Sequence, residues 1–417
     1  MNNLFIGLLA ILTCGCFYWI KSKKESYRTI VWVIYAVLFA VAFYLFFSKE
    51  IYRFTHPEVW DFSCFYLYGK VATSGHNFYL PENFHSVFSA GNFPVMDYGD
   101  FVPDVVNVGF PYPPPSILYF VPLGYLSYNN ALICWTLFNL FFATGCVWLI
   151  YSMFLKADKL NGIMLVVILF FVFSPVRATV FFSQTNFILL FLLLLMKKYA
   201  TSKYAGIFLA FALITKPYMI IFLAFFVLIK NWKAVIYFIG TSLVLAGITA
   251  AIFGSAPFKS YMFDNPSKRL PAGVYFEDIN QSLHAVLLRA KLISLDKPLI
   301  FLGIVAVIAL ITLTYLVYLQ KKKLYDYIWA VLLLVALLLY PGTLNHYQVL
   351  LLFIIFQFFD TKELGLKASL CIPIVAILYF LSINLAFIAI CFLLIVIILK
   401  ERYLIKYGNK VNFDLAA

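Results

Sequence analysis

The chain has 417 residues, of which 64% are hydrophobic, 20% aromatic and only 12% charged, with a formal net charge of +13. That usage lies far outside soluble domains and excludes a soluble enzyme or binding module. A β-barrel is excluded as well, because its strands would alternate apolar and polar residues, whereas the apolar runs here are continuous. The expected fold class is an all-α polytopic membrane protein, with 1–417 as a single integral membrane domain. Nucleic acid is not an expected partner, because the positive charge is confined to short hinges. KSKKESYR, KADK, KKYATSK, KNWK, KKK, TKELGLK and KERYLIKYGNK hold 20 of the 31 Lys and Arg. This positive-inside pattern assigns those hinges to the cytoplasm and predicts multi-pass localisation in a bacterial cytoplasmic membrane.

In chain order, the first run, residues 4–20, lacks a basic stretch before it and a small-residue cleavage site after it, and reads as a retained span. Residues 48–115 follow as a long external loop carrying seven of the 18 acids. It is too aromatic for disorder and too long for a connector. One or two short helices lying on the membrane surface are expected in it. Runs at 131–155, 163–175, 186–197, 204–215 and 218–229 read as five crossings. The alternative merges 204–229 and makes 113–126 a span. A second external loop covers 254–297, and runs at 298–319, 327–340, 346–359, 368–382 and 385–399 complete about 13 spans by length. The seven cysteines show neither metal-ligand spacing nor a pairing framework.

The apolar runs contain no acid, and their formal charges are Arg177 and Lys216. Each costs roughly 2.5–3.5 kcal/mol at membrane depth, so each either snorkels to an interface or faces a polar cavity. Two embedded cations without embedded acids suit an anionic ligand. The acid of interest is Asp61, in PEVWDFSCFYLYGKVATSGHNFYL. An N-capping or solvated aspartate accounts for it on structural grounds alone. A general base is the functional alternative.

Further tags follow Asp61. Tyr66, Tyr68 and GHNFY at 75–79 are succeeded by YPPPSILYFVPLGYL, SQTN at 183–186, TKPY at 215–218, NQSLHAVLLR at 280–289 and NHYQ at 345–348. In this order they resemble glycosyltransferase family 87, membrane transferases of the GT-C class that use polyprenyl-phosphate sugars. Ser183 stands where that family has glycine, and the TKPY match is loose. The resemblance implies an inverting transfer of a mannose-like hexose or a pentose from a polyprenyl-phosphate donor to a glycolipid or glycan acceptor on the outer face, with Asp61 as base. Lys216, Arg289, His346 and Arg177 are the candidates for the donor phosphate. Tyr66, Asn77, Tyr79, Tyr112, Gln184, Asn186, Asn280, Gln281 and Tyr347 are the candidates for sugar or acceptor. Arg289 can equally pair with Asp278 or Asp296, and His284 is explained by a polar position on an apolar helix. No metal or other cofactor is expected, because Asp61 has no acidic neighbour closer than Glu58. Asp97, Asp100 and Asp104 are the acids that leave a cation site conceivable. A transporter of a lipid-linked saccharide, or a glycan polymerase or ligase, would share many of these features. The absence of an internal repeat argues against the transporter.

Overall fold

In the computed structural model, the described residues are 3–21, 28–55, 60–90, 110–264, 276–296, 298–359 and 386–407. They form an all-helical bundle, and their one strand-like pairing is a bridge between Asn280 and Leu344. Runs of Leu, Ile, Phe and Val with few prolines become helices because an apolar medium leaves backbone groups no partner but their own chain. The helices are α1 (Asn3–Lys21), α2 (Arg28–Thr55), α3 (Trp60–Thr73), α4 (Pro81–Ala90), α5 (Tyr128–Ile150), α6 (Lys159–Val172), α7 (Ser174–Phe182) and α8 (Asn186–Lys198). There follow α9 (Tyr204–Thr215), α10 (Leu223–Leu228), α11 (Trp232–Phe253), α12 (Leu283–Arg289), α13 (Pro298–Lys321), α14 (Tyr325–Leu339), α15 (Leu351–Phe359) and α16 (Ala386–Tyr407).

Among the described residues, four stretches are long and apolar enough to cross a membrane: Arg28–Ser48, Tyr128–Val172, Trp232–Phe253 and Pro298–Lys321. Shorter apolar helices at Gly7–Lys21, Tyr204–Thr215, Pro217–Leu228, Tyr325–Leu339 and Phe387–Leu399 accompany them. The chain is therefore a multi-pass membrane protein. The expected total of about 13 spans depends on these shorter helices and on the 368–382 run, which lies outside the described residues. In the middle of the chain, helices lie near the five expected segments, with a further helix, α7, that the sequence reading lacked, and Tyr128–Val172 forms one long apolar stretch. Residues 113–126 form no span, only a 3-10 turn at Pro114–Tyr119 and a short turn at Val121–Gly124.

Among the described residues, the lysine hinges gather at one end of the bundle. Lys21 pairs with Asp158 at 3.4 Å, Lys197 is bonded to Asp326, and the Asn231 amide donates to the carbonyls of Ala200 (3.0 Å) and Ser202 (3.2 Å). The opposite end carries α3. Every residue of α3 from Phe62 to Gly69 is buried in the protein. A helix apolar around its whole circumference belongs in a core. Phe65 stacks on Phe120 at 4.6 Å, and Tyr68 meets Phe110 edge-on at 5.0 Å. Gly69 and Gly124 make this seating possible. A Cβ on Gly69 would fall 2.3 Å from the Phe120 carbonyl oxygen, and one on Gly124 would fall 2.3 Å from the Gly69 oxygen.

Candidate active site

Three interruptions of helices, together with the N-terminus of α3, build the site. The first is the turn between α7 and α8. Ser183 adopts the left-handed conformation (φ 54°, ψ 38°), and the backbone N–H groups of Ser183 and Gln184 donate to the carbonyls of Val180 (3.1 Å) and Thr179 (3.0 Å). This Schellman arrangement is one that favours glycine at the left-handed position, which Ser183 occupies here. It fixes the buried Gln184 side chain just before α8, while the Trp135 indole donates to the Ser183 carbonyl at 2.7 Å.

The second interruption is Lys216. Pro217 disfavours helix at the residue before it, and Lys216 is accordingly extended (φ −147°, ψ 115°) between α9 and the 3-10 turn Pro217–Phe222. The third is the turn after α14, which leads into the 3-10 segment Asn345–Leu350 and buries His346 and Tyr347. The second and third meet directly, because Lys216 Nζ donates to Tyr347 Oη at 2.7 Å. The ammonium also lies 4.1 Å from the ring centroid of Tyr347 and 5.0 Å from that of Tyr112. Tyr218 and Tyr340 extend this aromatic wall, with their ring centroids 4.7 Å apart.

Asp61 faces this assembly from the first turn of α3. Its side chain is bonded to Gln184 and lies within the electrostatic reach of Lys216. Burial pushes the Asp61 carboxyl up to about 6, and the Gln184 hydrogen bond and the Lys216 charge oppose that rise. Part of the residue nonetheless stays accessible. His346 is buried with neither ring nitrogen bonded, and its ring lies edge-on to Tyr347 at 4.6 Å. The Gln184 Oε1, Asn186 Oδ1, Thr185 Oγ1 and Tyr218 Oη atoms are likewise buried without partners. These orphaned atoms lie beside a buried cation that has no carboxylate partner at hydrogen-bond distance among the described residues, a combination suited to a bound ligand.

The candidate residues divide sharply. Asp61, Gln184, Lys216, Tyr112, His346 and Tyr347 come together. Asn186 joins them through its side-chain amide, which donates to the Thr179 hydroxyl (3.2 Å) and to the His346 carbonyl (3.1 Å). Arg177 is half-buried on α7 with Nε unbonded. Arg289 is engaged elsewhere, its guanidinium donating to the Glu277 carbonyl at 2.8 Å beside the charge of Asp278. Tyr66 donates to the Leu126 carbonyl at 3.0 Å, and Tyr79 to the Tyr112 carbonyl at 2.6 Å. Asn280 donates to Pro341 at 2.9 Å, while the Gln281 amide bonds Asp278 and its Oε1 accepts from Phe387 at 3.1 Å. Asn77 lies past the opposite end of α3, about 18 Å of helix from Asp61. Tyr218 and Tyr340 were not singled out in the sequence, although TKPY and the Tyr-Pro-Gly after α14 held both.

Among the described residues no group of three His, Cys, Asp or Glu side chains stands close enough to hold a metal ion. Asp97, Asp100 and Asp104 lie outside the described residues. Residues 110–341, more than half of the chain, match the model of glycosyltransferase family 87. The chain belongs to glycosyltransferase family 87. It is thus a membrane glycosyltransferase, acting between a sugar donor and an acceptor. No curated protein and no solved structure matches it. Asp61 lies before the matched segment, but its bonded partner Gln184 and the nearby Lys216 lie within it, so the fold joins the family 87 region to a carboxylate from α3.

Proposed function

We propose that this family 87 enzyme transfers a mannose-like hexose or a pentose from a polyprenyl-phosphate donor to a glycolipid or glycan acceptor, inverting the anomeric carbon. The reaction takes place on the outer side of a bacterial cytoplasmic membrane, the face opposite the lysine hinges. The observation that carries this reading is the approach of one deeply set carboxylate, Asp61, to one buried ammonium, Lys216, without a salt bridge consuming either.

In the reaction, the acceptor hydroxyl oxygen attacks the anomeric carbon from the side opposite the phosphate. The new C–O bond forms as the bond to the phosphate oxygen breaks, and that electron pair stays on the departing polyprenyl phosphate. The hydroxyl proton passes to Asp61, a base whose affinity for protons is raised by burial toward the working pH. Lys216, positioned by Tyr347 and the Tyr112 face, stabilises the charge growing on the phosphate, and His346 lies beside it to donate a hydrogen bond. The unpartnered amide oxygens of Gln184 and Asn186 are suited to accept from sugar hydroxyls. Arg177 remains a candidate for the donor phosphate, whereas the Arg289 bonds argue for a structural role. No divalent ion enters this scheme, so transfer is expected to survive chelation by EDTA.

The test is Asp61→Asn in membranes supplied with a radiolabelled polyprenyl-phosphate sugar. Transfer should drop by about 10²–10⁴-fold, the usual contribution of a general base. Undiminished transfer to lipid or glycan acceptors would reject the mechanism.

A further inference from the structure

The GHNFY segment is not part of the Asp61 site, yet it lines a concavity of its own. Beyond the C-terminal end of α3, a cleft of about 330 Å³ opens between Thr73, His76, Asn77, Tyr125, Phe253 and Pro257, among others. Three local features build it. Gly75 takes a positive φ of 76° to end α3. Gly254 (φ 73°) ends α11 and turns the chain into Ala256–Lys259, one wall of the cleft. Asn77 is fixed from three directions: its Oδ1 accepts from the Tyr79 N–H (3.1 Å), its amide donates to Ser260 Oγ (2.9 Å), and its carbonyl accepts from Asn83 (2.9 Å).

The chemistry of the walls narrows the ligand. No carboxylate, ammonium or guanidinium lines the cleft, which disfavours phosphate and other ions. What it offers is a hydroxyl, an imidazole, an amide and two aromatic rings, and one of those rings, Tyr125, is 74% exposed. Ring faces beside neutral hydrogen-bonding groups suit a ligand with apolar C–H faces and many hydroxyls, that is, a neutral saccharide. The same helix carries Asp61 at its other end, about 18 Å away, so one rigid element spaces the two sites.

We infer that the Thr73–His76–Tyr125–Phe253 cleft is a distal subsite for the neutral glycan of the acceptor, holding sugar units remote from the hydroxyl that receives the transferred residue. This rests on the transferase reading above, and it implies an acceptor several sugars long rather than a single glycosylated lipid.

The experiment uses the full chain in nanodiscs of neutral lipid and saturation-transfer NMR, with a mannotetraose and an arabinofuranosyl tetrasaccharide as probes. Binding is measured for the wild type, Asp61→Asn, Tyr125→Ala and Phe253→Ala. The expected result is saturation of at least one tetrasaccharide by the wild type and by Asp61→Asn alike. Affinity should be about tenfold weaker in Tyr125→Ala and in Phe253→Ala. Transfer by Tyr125→Ala should show a raised acceptor KM with kcat and donor KM unchanged. Binding of neither tetrasaccharide by the wild type would overturn the inference, as would equal binding by all four proteins. Because Asp61→Asn is judged here by binding, a failure of the catalytic reading appears separately, as transfer retained by that variant.

Discussion

At the lysine-hinge end of the bundle, cations meet carboxylates: Lys21 lies 3.4 Å from Asp158, and Lys197 is bonded to Asp326. At the opposite end Lys216 finds a phenol and two ring faces, and Asp61 an amide, while His346 and the oxygen of Gln184 find nothing. The first end pairs its lysines with carboxylates, although Asp158 Oδ2 and Gln357 Oε1 are buried there without a hydrogen bond. The second leaves donors and acceptors buried and open, a cost that a fold sustains where a bound molecule completes the set. This contrast assigns chemistry to one end of a bundle whose two ends are otherwise built from the same kinds of helix.

The contrast can be broken most forcefully at Lys216. Lys216→Met, which keeps the volume and removes the charge, should lower kcat by about 10²–10³-fold, as expected when one stabilising group is taken from a developing anion. Radiolabel transfer at saturating donor checks this. Next in size is the packing that seats α3. Gly124→Leu forces side-chain atoms into the Gly69 carbonyl, already only 2.3 Å from a Cβ, and should cost several kcal/mol by overpacking. Loss of the folded peak in fluorescence-detected size exclusion would report it.

Asp61 should also carry a stability signature of opposite sign to its catalytic one. Its carboxyl sits at about 6 in the fold against 3.8 for a free aspartic side chain, so the folded state favours the protonated form. That stabilisation is present below about pH 4 and is lost as pH rises through about 6. Asp61→Asn should therefore be more stable than the wild type at pH 8 by about 2–3 kcal/mol and equal to it near pH 4, measured by thermal unfolding at both values. The smallest effect is expected at the matched end. Asp326→Asn removes an ion pair whose carboxylate is largely exposed, worth about 0–1 kcal/mol, and should leave transfer unchanged.

Much of this division was legible in the sequence. Hydrophobic run lengths and lysine hinges placed the helices through the middle of the chain, α7 excepted, because insertion into an apolar medium leaves a residue-by-residue imprint. The order Asp61, Gln184, Lys216, His346 picked out groups that the fold brings together. The burial of α3 was not legible, since aromatic residues read alike whether they sit at a lipid interface or in a protein core. Nor were the roles of Tyr66, Tyr79, Asn280 and Gln281. A phenol or amide that bonds a backbone carbonyl has the same sequence signature as one awaiting a sugar. Arg289 went the same way, bound to the Glu277 carbonyl rather than to the chamber.

The most direct test of the opposed acid and cation is the pH dependence of kcat/KM in the wild type and in Lys216→Met. Activity should fall on the acid side with a midpoint at about pH 6 in the wild type, as Asp61 takes up a proton in the free enzyme. In Lys216→Met the residual activity should lose its acid limb at a higher pH, because the positive charge that holds the carboxyl down is gone. An acid limb at the same pH in both proteins, or none between pH 5 and about 8 in the wild type, would show that the two groups do not work on one reaction.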